Sequence, residues 1–310
     1  MRLIFMGTPD FAVPCLARAL ADGHEIALVM TQPDKPKGRG YEVSPPPVKV
    51  FAMEHGLEVY QPATLKNNEE AVRRIAACDA DVAVVVAYGR ILRQDILDIP
   101  RYGCINVHAS LLPRYRGAAP IQYAVLNGDE QSGVTTMLLD AGIDTGDMLL
   151  SRKVPIPEAM TAGELHDILM DEGAQAMSDT LAAISGGTIK RIPQDNAAAT
   201  HAPMLSRELS PLTLTMPARE LHNRVRGLNP WPSAQITAKG KTLKIHRSAV
   251  AETAASAAPA GTVLAVSPLT IACGEGTGLV LIEVQPEGTR RMTGEEYARG
   301  RRLQPGDNIH

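Results

Sequence analysis

Apolar and polar positions alternate in short blocks along the first half of the chain. Apolar runs at 3–6, 26–31, 57–60 and 82–87 are separated by stretches with helical spacing at 11–21, 48–55 and 69–77. This succession predicts βαβ units and a parallel sheet. Further strands are expected at 103–108, 134–140 and 148–154, with a short helix at 121–126 closed by Asn127-Gly128. A long helix is expected from Ala162 to Ile184: Thr161 and Glu164 have capping-box spacing, and Gly186-Gly187 ends it. Residues 191–206, with Pro193, Asp195-Asn196, three alanines and Pro203, hold no period and read as a linker.

Beyond the linker the pattern changes class. One amphipathic helix at 218–226 precedes short strands at 234–237, 242–247, 262–266, 269–272 and 279–284. Five short strands predict a small barrel of the OB type. The alanine-rich stretch 249–260 reads as a loop, and Thr293 with Glu296 opens a last short helix. The expected division is an α/β domain at 1–190, a linker at 191–206 and an OB-like domain at 207–310.

Composition narrows the class. With 45% hydrophobic and 21% charged residues among 310, the chain is neither disordered nor collagen-like. Its longest apolar run, 82–88, is far below the ~20 residues needed to span a bilayer as a helix. The N-terminus runs straight into a strand, too short for a signal peptide. Cys15, Cys78, Cys104 and Cys273 lie far apart without a C-x-x-C, so a reduced cytosolic protein without disulfides or zinc is expected. Charge is uneven: residues 1–205 carry 18 basic and 25 acidic side chains, residues 206–310 carry 13 and 9. A basic second part fits a polyanion partner or a solvated cationic surface.

The turn Gly7-Thr8-Pro9-Asp10 after the first strand lacks G-x-G-x-x-G, and no Gly-Lys-Ser/Thr follows any strand, which disfavours NAD and ATP sites. Asn106 and His108 are two apart on a strand and project to one face, at a carboxyl end where open parallel sheets bind ligands. The loop 140–147 brings Asp144 with glycines. A calcium loop fails there, because its sixth position is Thr145 and its twelfth Ser151, and an Asx-rich turn is the other reading. Ser110 to Gly117 form a loop with backbone donors, and Lys35, Lys37 and Arg39 alternate with Pro and Gly in a run suited to phosphate or to solvent.

Asn106-x-His108, Ser110-Leu111-Leu112-Pro113-x-x-Arg116-Gly117 and Asp144 resemble the signature of 10-formyltetrahydrofolate-dependent formyltransferases. Gly7-Thr8-Pro9-Asp10-Phe11, the basic loop 32–40, Gly117-Ala118-Ala119-Pro120-Ile121-Gln122 and Asn229-Pro230-Trp231-Pro232 narrow the resemblance to the methionyl-tRNA formyltransferase family, over the whole chain. The resemblance implies a Rossmann-like catalytic domain and an OB-like β-barrel domain that helps hold tRNA. It implies formyl transfer from 10-formyltetrahydrofolate to the α-amino group of methionyl-initiator-tRNA, with Asn106, His108 and Asp144 catalytic and no metal. Asn106 and His108 would donate to the oxyanion, with Asp144 orienting His108.

By the same resemblance Ser110, Leu111, Leu112 and Pro113 contact tetrahydrofolate, and Arg90, Ile91 and Leu92 wall its pterin pocket. Lys35, Lys37 and Arg39 belong to an insertion that approaches the tRNA acceptor end, and Phe11 lies near the methionyl side chain. A monomer in the bacterial cytoplasm is expected. Where relatives often carry an Asp-Trp pair before the helix at 218, this chain has Thr213-Leu214. The rival readings are a nucleotide-sugar N-formyltransferase, a formyltetrahydrofolate hydrolase and an RNA-binding module with a decayed site.

Overall fold

The computed structural model describes residues 1–37, 42–252 and 257–310. Two compact units form, and they do not follow the chain linearly. The first comprises Met1–Gly117, Ser132–Val154 and His166–His201; the second comprises Ala118–Gln131, Pro155–Leu165 and Ala202–His310. Among the described residues no helix is long and apolar enough to cross a membrane.

In chain order the elements begin with β1 (Arg2–Gly7), α1 (Val13–Ala21), β2 (Glu25–Met30) and the hairpin β3 (Lys35–Lys37) and β4 (Glu42–Ser44). There follow α2 (Pro47–Glu54), β5 (Val59–Tyr60), α3 (Glu69–Ala77), β6 (Val82–Val86) and α4 (Gln94–Leu97). Next come β7 (Cys104–His108), β8 (Arg116–Gly117), α5 (Pro120–Leu126), β9 (Gln131–Leu138), β10 (Met148–Pro155) and α6 (Ala162–Ser185). Local chemistry sets the helix starts. The Asn68 side chain caps α3 by accepting from the Ala71 N–H at 2.9 Å, with Glu69 and Glu70 in its first turn. At α6, Thr161 N–H donates to the Glu164 carboxylate at 2.8 Å and Glu164 N–H to the Thr161 hydroxyl at 3.2 Å.

The large sheet has the order β10-β9-β7-β6-β1-β2-β5. Strands β5, β2, β1, β6 and β7 are parallel neighbours, whereas β9 joins β7 antiparallel, with His108 opposite Thr135 and Ile105 opposite Leu138. The expected parallel sheet is therefore mixed. The reason is the path of the chain, which leaves the sheet at His108 and re-enters beside it, whereas parallel pairing requires a crossover to the far end. Strand β9 also starts at Gln131, ahead of the expected 134. Gly133 permits this, since a Cβ there would lie 2.1 Å from the Arg152 carbonyl oxygen.

Both faces of the central strands are covered, as the unbroken apolar run of β6 requires. On one face Ile4, Met6, Met30, Ile75, Val85, Ile96, Leu97 and Cys104 form a continuous cluster. Each large side chain so buried contributes about 1.5–3 kcal/mol. The segment expected as a linker is pinned: Ile192 and Met148 exchange two backbone hydrogen bonds of 2.9 Å, and Arg116 N–H donates to Thr200 O at 2.9 Å.

Later elements are β11 (His201–Ala202), α7 (Ala218–Gly227), β12 (Ala234–Ala238), β13 (Lys241–Val250), β14 (Val263–Val266), β15 (Leu269–Ala272), β16 (Gly278–Pro286), β17 (Met292–Thr293) and α8 (Gly294–Arg301). An antiparallel sheet runs β12-β13-β16-β15-β14, with β17 paired to β16. Leu221 and Val225 of α7 pack with Ile236, Leu243, Ile245, Ile271, Leu281 and Tyr297 in one core. Leu214, from the divergent Thr213-Leu214 pair, is buried in that core. The Thr293–Glu296 capping box starts α8. Strand β13 extends to Val250, so the expected loop at 249–260 begins as strand, and residues 253–256 lie outside the described residues.

Candidate active site

Strand β7 carries core and chemistry on a single face. Its period of two puts Cys104 in the apolar cluster and continues the same row with Asn106 and then His108. Asn106 lies beside Val85 of β6 and Met137 of β9. It is half-buried, and its amide makes no side-chain hydrogen bond to any described residue. His108 is 6% exposed, and its Nε2 lies 2.9 Å from the Tyr115 carbonyl oxygen. A carbonyl only accepts, so Nε2 carries a proton. Nδ1 faces the Asp144 carboxylate across 3.7 Å, longer than a hydrogen bond.

Asp144 reaches this place by a detour. Because β9 runs antiparallel to β7 and ends with Leu138 beside Ile105, the following loop starts at the end of the sheet away from His108 and doubles back over the face. An Asx turn opens it: Asp140 Oδ1 accepts from Gly142 N–H at 3.0 Å and from the Thr145 hydroxyl at 2.6 Å. Asp144 itself adopts a left-handed backbone, φ 53°. Its Oδ2 accepts from Gly117 N–H at 2.8 Å, which fixes the carboxylate beside the imidazole.

The loop after β7 is tightly built. The buried Ser110 hydroxyl donates to Arg114 O at 2.6 Å, and Thr135 on β9 donates to Ser110 O at 2.7 Å while accepting from Leu112 N–H at 3.2 Å. The Ser110 hydroxyl is thus consumed internally, and Leu112 is buried, whereas Leu111 and Pro113 are half-buried. Thr135 and Gln194 were not legible as site residues. Gln194 donates to Asp144 O and Gly146 O, and its only local context is the segment that reads as a linker.

Other expected site residues are more scattered. Arg90 donates to Ala63 O at 2.7 Å, Ile91 is 75% exposed, and Leu92 is buried in the cluster of Ile96, Leu97 and Cys104. Phe11 is buried, with its ring centroid 5.3 Å from that of His166. Lys35 is exposed and donates to Gln32 Oε1 at 2.8 Å; Lys37 ends β3, and Arg39 lies outside the described residues. The neighbouring Asp34 is neutralised locally, its carboxyl held below the usual range by hydrogen bonds from Gln61 and then Lys49. A cavity of about 710 Å³ on the first unit is lined by Leu97, Tyr102, Cys104, Leu139, Asp140 and Ile189 among others. None of the expected site residues lines it, although Leu97 and Cys104 belong to the cluster that seats Leu92.

With this geometry in place, similarity to known proteins is informative. Residues 1–181 match the family model described as formyl transferase, and residues 204–302 match formyl transferase, C-terminal domain. The methionyl-tRNA formyltransferase of Acetivibrio thermocellus is 48% identical over 309 residues, covering 99% of both chains. That of Acidobacterium capsulatum is 48% identical over 305 residues, covering 98% of each. Among solved structures, the sugar 3N-formyl transferase WlaRD, crystallised with dTDP and 5-N-formyl-THF, has a TM-score of 0.68 at 18% identity, covering 94% of this chain and 99% of that one. HypX from Aquifex aeolicus with tetrahydrofolic acid has a TM-score of 0.60 at 13% identity, covering 96% of this chain and 47% of that one. At such identities the two structures speak to the fold.

Proposed function

We propose formyl transfer to methionyl-tRNA as the activity of this chain, which belongs to the formyl transferase family. The donor is 10-formyltetrahydrofolate and the acceptor is the α-amino group of methionyl-initiator-tRNA. The observation that carries the reading is the convergence on one face of an Asn106 amide with no partner among the described residues, the Nδ1 edge of His108 and the Asp144 carboxylate 3.7 Å from it. Relatives of 48% identity over 98–99% of the chain bear the same activity in their names.

The amine attacks the formyl carbon, and the carbonyl oxygen becomes an oxyanion. The Asn106 amide donates to it, and no reorganisation is needed because that donor has no partner among the described residues to leave. His108 is held at Nε2 by Tyr115, so Nδ1 is the atom through which a proton moves. Asp144, held by Gly117, orients that edge and accepts the amine proton through water. Collapse of the intermediate breaks the bond to the folate nitrogen, which leaves protonated through His108.

Ser110 to Pro113 and Arg90 to Leu92 contact the folate; given its internal bond, Ser110 acts through backbone and packing. Phe11 approaches the methionyl group, and Lys35, Lys37 and Arg39 approach acceptor-end phosphates. The basic second part, with 13 basic against 9 acidic side chains, holds the tRNA body. The protein works as a monomer in the bacterial cytoplasm and needs no metal.

The test is formyl transfer from 10-formyltetrahydrofolate to methionyl-tRNA, read as the mass gain of the released aminoacyl-adenosine, with uncharged tRNA as control. Formylation that depends on the methionyl group is expected. Folate consumption without formyl-methionine would overturn the acceptor and favour a nucleotide-linked amino sugar or water in its place.

A further inference from the structure

We infer that Gln194 is a positioning residue of the transfer site, a side-chain clamp keyed by Arg116 that holds Asp144 in its left-handed backbone. The inference rests on the reading of Asp144 as part of the transfer machinery.

The Gln194 carboxamide is used on both sides. Its Oε1 accepts from Arg116 Nε at 3.1 Å and Nη2 at 2.8 Å, and its Nε2 donates to Asp144 O at 2.9 Å and Gly146 O at 2.7 Å. A guanidinium has donors only and main-chain carbonyls accept only, so this amide has one permitted orientation. Arg116 is 5% exposed; it donates also to Asn196 Oδ1 at 2.8 Å, and no described carboxylate lies at ion-pair distance from it. A buried cation is thus solvated by two neutral amides, and one of them passes the constraint on to the Asp144 loop.

That loop needs a constraint. Few residues with a Cβ adopt a left-handed conformation, and Asp144 holds it at φ 53°. Nearby, a Cβ on Gly146 would sit 1.7 Å from Leu138 O, so the turn is as tight as a glycine allows. Two hydrogen bonds from one amide to the carbonyls on either side of Thr145 fix the turn and therefore the direction in which the Asp144 carboxylate points. The segment carrying Gln194 is itself anchored by the mutual bonds of Ile192 and Met148.

Gln194→Glu separates this role from a merely structural one. A glutamate keeps both bonds from Arg116 and adds an ion pair, yet loses the two donors to Asp144 O and Gly146 O and places a charge against them. If Gln194 serves only to satisfy Arg116, the variant folds as well as the parent and transfers formyl at the parent rate. If it positions Asp144, kcat falls by about 10–100-fold with the KM values for folate and tRNA unchanged within twofold, and the pH–kcat profile is displaced. Gln194→Ala, which removes both sets of bonds, gives a loss in the same direction.

A second readout does not depend on turnover. The Gly117 amide proton bonds the Asp144 carboxylate, so its NMR shift and hydrogen exchange report whether that carboxylate stays in place. In Gln194→Glu the Gly117 resonance is expected to move and to exchange faster than neighbouring amides. A parent-like kcat, or a Gly117 amide that does not respond, overturns the clamp. A Gly117 response in a protein that transfers no formyl group to methionyl-tRNA supports the clamp and overturns the proposed activity.

Discussion

Two buried histidines, one in each unit, begin alike and end differently. His108 is 6% exposed and His222 3%. Each donates Nε2–H to a main-chain carbonyl at 2.9 Å, Tyr115 for the first and Glu158 for the second. They part at Nδ1. In His222 that nitrogen meets the Ser248 hydroxyl at 3.0 Å, a neutral donor that completes the ring's hydrogen bonding. In His108 it faces a carboxylate across 3.7 Å, beside an Asn106 amide with no described partner. A histidine with both nitrogens satisfied by neutral groups holds structure together, whereas one left short of its partner in a half-open site is poised to act.

The largest effect that would break this contrast is on rate. His108→Ala and Asn106→Ala are each expected to lower turnover by about 100–1000-fold, the range for loss of an acid/base or an oxyanion donor. Both variants should still fold, Asn106→Ala with a midpoint close to the parent's because Asn106 is only half-buried, and His108→Ala with stability lowered by about 1–3 kcal/mol because one buried hydrogen bond, to the Tyr115 carbonyl, is lost. Near-parent turnover in either variant, measured at saturating substrates, would remove that residue from the mechanism.

The opposite pattern is expected for His222. Truncation to Ala leaves the buried Ser248 hydroxyl and the partly buried Glu158 carbonyl without their partner, at a cost of about 1–3 kcal/mol. Denaturant melts should show that loss as a lower midpoint at unchanged slope. Turnover of the folded fraction should remain within about twofold, since both His222 nitrogens are taken up by Ser248 and Glu158 of its own unit. A fall in rate of the size expected for His108 would mean that burial and partner type do not distinguish the two histidines.

Legibility in the sequence follows from how local each determinant is. The strands at 82–87 and 103–108, the α3 helix at Glu69–Ala77 and both capping boxes depend on residues within a few positions, and the structure realises them almost to the residue. The Asn106 and His108 pair was visible because a strand's period of two is a local rule. The direction of β9 was not, since it depends on where the chain goes between 109 and 130. Nor was the Gln194 clamp, whose partners Arg116 and Asp144 lie 78 and 50 positions away in a segment whose composition reads as linker. Ser110 shows the converse: its place in a recognisable motif gives no hint that its hydroxyl is spent on Arg114 O.

The smallest expected effect sharpens the comparison by changing only charge. Burial, ahead of every other influence, pushes the His222 imidazole below its ordinary value of 6.5, and His246, also in the second unit, is lowered by the same cause. Below 6.5 the unfolded chain takes up a proton that the folded ring resists, so proton binding favours unfolding. The stabilisation is therefore complete above about pH 6.5 and is lost as pH falls through the lower folded value. Melts recorded between pH 8 and pH 5 should show a decline that is shallower in His222→Gln, where nothing titrates at that position. An equal decline in parent and variant would show that His222 bears no part of the acid sensitivity, and that its burial is not what holds its proton off.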